Sequence, residues 1–174
     1  SALRTISDTD NSKWYAEATL KKSLGNNDQT GLVLTPMGTE MNMILPYAMQ
    51  PSDKATRLIL GLINSRKLSE KVSWTNQARF KKVLDEKEWS FGDQLELNSW
   101  VQYQYISSLS VSTRLKFVSQ KDISGSNPMI MAPVQTANPE NYGGDELHIV
   151  FGANYDLSSL TSKQDVVGVE VLFP

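Results

Sequence analysis

The chain has no cysteine. That excludes disulfides, zinc–thiolate sites and thiol catalysis. It has one histidine, His148, so a Ser-His-Asp triad or a multi-histidine metal site has almost nothing to draw on. Gly-x-Ser-x-Gly is absent as well, and the chain is read as a non-enzyme without cofactor. There is no excess of basic charge: 17 Lys and Arg stand against 19 Asp and Glu. Nucleic acid is therefore not an expected partner. No apolar run reaches the length of a membrane-crossing helix. No export leader is visible, which suits a cytosolic chain or a processed one.

What the sequence does have is period two. In "SLSVSTRLKFVSQ", Leu109, Val111, Thr113, Leu115 and Phe117 share one face, and Ser110, Ser112, Arg114 and Lys116 the other. "QLELNSWVQYQYI" sets Leu95, Leu97, Ser99, Val101, Tyr103 and Tyr105 against Glu96, Asn98, Trp100, Gln102 and Gln104. "SWTNQARFKKVL", "ELHIVFGANYDL", "DVVGVEVLF" and "WYAEATLKK" alternate in the same way, and "TGLVLT" and "ATRLILGLIN" less cleanly. These are about eight strands in one domain spanning 1–174, with 1–13 read as a flexible or loop segment.

Alternation of this kind fits a soluble sandwich or barrel with its apolar side inward. It fits equally a membrane barrel with its apolar side toward lipid. Several strands run about nine to twelve residues, the length of a tilted bilayer crossing. Trp14, Tyr15, Trp74, Trp89, Tyr103, Tyr105, Tyr155 and Phe173 gather near strand ends, as interfacial girdles do. Short and long connections alternate, a habit of outer-membrane barrels. On this count both termini fall on the long-loop side. The chain is then expected to be an internal part of a ten- to twelve-stranded barrel, unless "TGLVLT" is miscounted as a strand.

Residues 45–173 resemble a known family. The matching elements are "TPMG" at 35–38, "LPYAMQ" at 45–50, "SWTNQA" at 73–78 and "FGDQLELNSWVQYQ" at 91–104. They continue with "LSVSTRL" at 109–115, the Pro- and Gly-bearing stretch 122–144, and "GANYDL" at 152–157. Together they are similar to outer-membrane β-barrel transporters of the group that includes the MetA-like proteins of phenol meta-degradation pathways. The stretch 122–144 is the most specific element. The family's Gly-Ser-Gly after "MQ" is replaced by "PSDKAT". The resemblance implies an antiparallel up-and-down transmembrane barrel in the outer membrane of a Gram-negative bacterium. It also implies passive passage of small solutes, aromatic or hydrophobic ones among them, and no catalytic residues. The alternative is a non-conducting structural or ligand-binding barrel or sandwich module in a larger complex.

Candidate site residues follow. Arg79, Lys81, Glu96, Arg114, Lys116, Glu170 and His148 lie on polar faces and would line a lumen; with Arg57 and Glu17 such charges either pair to fill a small lumen or border an aqueous pore. Arg79, Lys81, Arg114 and Lys116 would form a positive strip tuning anion passage. The acid pair Asp93 and Glu96 and the run "DEKE" at 85–88 suit either acid–base work or a solvated turn. Met37, Met41, Met43 and Met49 in one long loop, and Met129 and Met131 in another, would lie at the barrel mouth. Met41, Met43, Met129 and Met131 offer soft thioethers to Cu(I), or simply flexible apolar packing. No other metal site is expected.

Overall fold

A computed structural model describes residues 1–35, 37–85, 87–130, 134–158 and 165–174. Its strands are β1 (Ala2–Thr9), β2 (Ser12–Lys22), β3 (Thr30–Leu34), β4 (Glu40–Ile44), β5 (Thr56–Lys67) and β6 (Val72–Val83). They continue with β7 (Trp89–Ser90), β8 (Gln94–Ile106), β9 (Leu109–Gln120), β10 (Ser124–Gly125), β11 (Gly144–Asp156) and β12 (Val166–Phe173). Eight of them form one sheet in the order β1-β2-β5-β6-β8-β9-β11-β12. Every neighbouring pair in it is antiparallel, so the sheet is an up-and-down meander. β1 and β12 are its edges, and no ladder joins them among the described residues.

Register brings the period-two faces together. Leu62 faces Ala78, Ala78 faces Leu97, Leu97 faces Phe117 and Phe117 faces Leu147. The apolar stripes of the main-sheet strands thus meet on one face, which the row Asn64, Asn76 and Ser99 interrupts. The opposite face carries the row Glu17, Gly61, Arg79, Glu96, Val118 and Glu146.

Two strand assignments differ from the sequence expectation. Residues 1–13, expected as a loop segment, contain β1 and its turn into β2. Conversely, "TGLVLT" is not a strand of the main sheet. Thr30–Leu34 pairs with Glu40–Ile44 in a separate two-stranded hairpin inside the connection 23–55.

The connections sort by length onto the two ends. Those at 10–11, 68–71 and 107–108 are short. The connection 157–165 closes at the same end, where the Leu157 N–H donates to the Asp165 carbonyl at 2.8 Å. The long ones, 23–55, 84–93 and 121–143, lie at the other end. β1 starts from that side and β12 runs toward it, as expected but through a different strand count; their ends stop opposite Ala18 and Ile149.

The buried apolar cluster sits in these long connections, not in the sheet. Tyr47, Trp89, Ile123 and Ile130 form it, with Ile44, Phe91, Ala137 and Tyr142 packed around them. Trp89 is fully buried there, so it does not belong to a girdle.

Candidate functional site: the polar face and its loop cap

Four rings close the loop cap. Tyr47 meets Trp89 at 4.9 Å, Trp89 meets Phe91 at 5.6 Å, Phe91 meets Tyr142 at 5.7 Å and Tyr142 meets Tyr47 at 6.0 Å. All four contacts are edge-to-face, the arrangement the ring quadrupoles favour. The rings come from three different connections, so the cap is one unit. Polar bonds join the same segments. The Tyr47 hydroxyl accepts from the Asn127 N–H at 3.0 Å. The Tyr142 hydroxyl accepts from the Ala48 N–H at 3.0 Å and donates to the Thr136 carbonyl at 2.7 Å. The stretch 122–144 is thus packed beside the segment bearing Met37–Met49. β10 pairs with β7; Gly125 has φ +77°, and a Cβ there would meet the Glu88 carbonyl oxygen at 2.2 Å.

A buried ion pair fastens the cap to the sheet. Arg57, the second residue of β5, bonds Asp53 through both Nη atoms, the first at 3.0 Å. Asp53 also accepts the N–H of Phe91 at 3.0 Å and that of Ala55 at 3.2 Å. Arg57 Nη2 donates onward to the Phe91 carbonyl at 3.3 Å. Burial alone would raise the Asp53 carboxyl. The hydrogen bonds from Arg57, Phe91 and Ala55 and the Arg57 charge outweigh it and hold the group below the ordinary range.

Asp85 plays a similar part at the surface. It accepts the Thr56 N–H and hydroxyl and pairs with Lys87 at 2.8 Å. The Lys87 hydrogen bond and the Thr56 N–H lower its carboxyl to about 2. So the described part of "DEKE" is a tie between connections; Glu86 lies outside the described residues. Asp93 and Glu96 do not act together. Asp93 holds the Val83 N–H at 2.9 Å and Lys82 at 2.8 Å. Glu96 faces Arg79 on the polar side, 4.0 Å away.

The polar face is densely paired. Arg79 reaches Glu17 at 3.2 Å, two strands away, across Gly61 on β5. A Cβ at Gly61 would lie 3.0 Å from the Glu17 carboxylate. Glu96 also accepts from Asn98 at 2.8 Å. Arg114 pairs with Glu170 at 2.8 Å, across β11. His148 meets Glu146 at 3.0 Å, two residues away on its own strand. The local positive strip expected from Arg79, Lys81, Arg114 and Lys116 facing Glu96 has Arg79 opposite Glu96, but both of its arginines are matched by carboxylates. The lysines of the strip, Lys81 and Lys116, make no ion pair among the described residues.

Besides a hollow of about 430 Å³ lined by Gln94, Val118, Gln120, Tyr142, Asp145 and Glu146, two hollows lie on this face at the cap end. One of about 150 Å³ is lined by Lys21, Ile59, Arg79, Lys81, Gln94 and Glu96. The other, about 380 Å³, shares Lys21 and Lys81 with it and reaches Arg57, Gln50, Phe91 and Gln120 under the cap. The alternation pattern puts Lys21 on a polar face and Arg57 among the inward charges, but nothing in it singles out Asp53. The signal available was "PSD" after "LPYAMQ", read only as a departure from a family turn.

The methionines do not build the cap core. Met37 is 89% exposed, and Met41, Met49 and Met129 are also exposed. Met41 and Met43 lie on β4, opposite Val33 and Gly31. Met131 lies outside the described residues. Among the described residues no cluster of three His, Asp or Glu side chains is placed to hold a metal.

Fold and site together define an all-β protein: a single eight-stranded antiparallel meander, apolar on one face, polar and charge-paired on the other, with an aromatic cap at one end. No protein-family model matches the chain, and no curated protein does.

Proposed function

We propose that this chain is the wall of an outer-membrane β-barrel that passes small solutes passively. The supporting observation is the inverted placement of polarity. Leu60, Phe80, Leu97, Leu115, Leu147 and Phe151 are 41–60% exposed. On the other face the Glu17 side chain is 18% exposed, Glu96 23% and Arg79 34%. A water-soluble sheet hides its leucines and wets its charges. A membrane barrel does the reverse, because lipid meets the outer face and the charges face the lumen. No helix among the described residues is long and apolar enough to cross a membrane, so crossing falls to the strands, which reach 11–13 residues from β2 to β11 in the main sheet.

In a bilayer the exposed edges β1 and β12 must find partners, since an unpaired backbone group in hydrocarbon costs several kcal/mol. A closed barrel of ten to twelve strands would supply them. The likeness of 45–173 to MetA-like outer-membrane transporters points the same way and adds aromatic or hydrophobic solutes to the reading. Rows of paired charges suit a filled lumen as well as a water-bearing one, and conductance separates the two.

The test is reconstitution. The purified chain is expected to need detergent, to migrate differently with and without heating, and to give discrete conductance steps in planar bilayers once its two edges are closed by the strands that complete the barrel. A folded chain that stays monodisperse without detergent and gives no conductance refutes the reading.

A further inference from the structure

The charge pairing of the polar face is uneven, and the unevenness is localised. Arg57 is taken by Asp53 and Arg79 by Glu17 and Glu96. Lys21 and Lys81 make no hydrogen bond or ion pair among the described residues, yet both line both hollows beneath the cap. Lys21 lies opposite Arg57 on the next strand, and Lys81 lies opposite Ile59, one same-face step along β5. Three cationic groups therefore converge within neighbouring positions of three adjacent strands. The only acidic side chains in the two linings are Asp53 and Glu96. Asp53 has its oxygens filled by Arg57, Phe91 and Ala55. Glu96 is held by Asn98 and Arg79. Two amides, Gln94 and Gln120, stand beside the lysines and bond each other at 3.1 Å. Phe91 supplies an apolar edge from above.

Such a place suits one kind of solute end: an anion that gains two ammonium donors, with an apolar body that rests under Phe91. We propose that the space between Lys21, Lys81 and the underside of the cap is a binding site for small organic carboxylates, seated at the lumen mouth. The carboxylate sits between Lys21 and Lys81, and its body points toward Phe91. This rests on the channel reading for its role in passage, but the site itself exists in the folded chain with or without conductance.

The test uses the full folded chain in detergent, with benzoate and its neutral isostere benzamide as probes and inorganic phosphate as a third. Calorimetry is expected to show benzoate binding saturably and benzamide about tenfold or more weaker, since the charged end makes the contacts. Lys81→Gln and Lys21→Gln should each weaken benzoate about tenfold, Lys81→Arg should retain most of the affinity, and Lys116→Gln should change nothing. Phosphate binding as tightly as benzoate would overturn the carboxylate assignment. So would equal binding of benzoate and benzamide, or Lys116→Gln matching Lys81→Gln. A chain that conducts but binds no benzoate overturns this inference and leaves the channel reading intact. A chain that binds benzoate without conducting supports the site and removes the channel.

Discussion

Replacing Asp53 by Asn tests the reasoning about the cap most directly. The side chains of Asp53 and Arg57 are 2% and 7% exposed, so both are largely withdrawn from water at the edge of the hollow under the cap. One carboxylate oxygen takes Arg57 Nη1 and the Ala55 N–H; the other takes Arg57 Nη2 and the Phe91 N–H. Asparagine has the same shape but one oxygen. Either way round, its NH2 points at two donors, and Arg57 loses its counter-charge. Two unmade buried bonds at about 1–3 kcal/mol each agree with about 3–5 kcal/mol for a buried pair that loses one partner. At about 1.4 kcal/mol per tenfold, cap opening should become more than a hundredfold more frequent. Hydrogen exchange at the Phe91 and Ala55 amides reads this directly. The second variant, Asp53→Asn with Arg57→Met, removes the stranded charge and should recover more than half of the loss. Acceleration below tenfold, or a double variant no better than the single, would refute the account.

Other outcomes follow from the same geometry. Trp89→Ala empties the cap's most buried site and should destabilise the cap by about 3–5 kcal/mol; limited proteolysis within 121–143 should speed up while the main sheet keeps its circular dichroism. Leu97→Arg puts a charge on the apolar face at a position 41% exposed. It should cost about 2–4 kcal/mol of folding stability in phospholipid vesicles if that face meets lipid near mid-bilayer. A change within about 0.5 kcal/mol would instead mark a solvated face. Arg79→Ser leaves Glu17 and Glu96 without their cation and should shift single-channel selectivity toward cations, whereas unchanged reversal potentials would remove Arg79 from the permeation path. The cap ties should also weaken in acid. Asp53 and Asp85 have folded-state carboxyls below the unfolded value of about 4. Their stabilisation is full above that value and is lost as pH falls through the folded one, which for Asp85 is about 2. Amide exchange at Thr56 between pH 5 and pH 2, corrected for its intrinsic pH dependence, checks the sign.

Periodicity made the sheet legible. Leu97, Phe117 and Leu147 could be assigned to one face without knowing which strands adjoin, because every strand carries the same two-residue rhythm. β1 escaped for a local reason. Its register slips between Thr5 and Ser7, so Leu3 and Ile6 stand three apart and the rhythm breaks at the bulge. Thr30–Leu34 has the rhythm of a strand, and is one, but periodicity says nothing about which sheet a strand joins. Charge pairing needed strand order as well. Arg79 is 62 residues from Glu17 and Arg114 is 56 from Glu170, so the sequence alone suggests a positive strip where the register supplies partners. The cap was legible only as an ordered loop over the mouth. Tyr47, Trp89 and Tyr142 follow no spacing rule, and their meeting depends on three chain reversals at once.

Surface connections are ordinarily the freest parts of a protein to lengthen, shorten or exchange. Here that freedom is redistributed. The connections 23–55, 84–93 and 121–143 each own part of a single four-ring assembly, so a graft into one of them leaves the other two holding an incomplete set. They can be exchanged between proteins only as a trio. The two-residue turns at Asp10–Asn11 and Ser107–Ser108 share no such obligation, and it is there that inserted sequence should be accepted most readily.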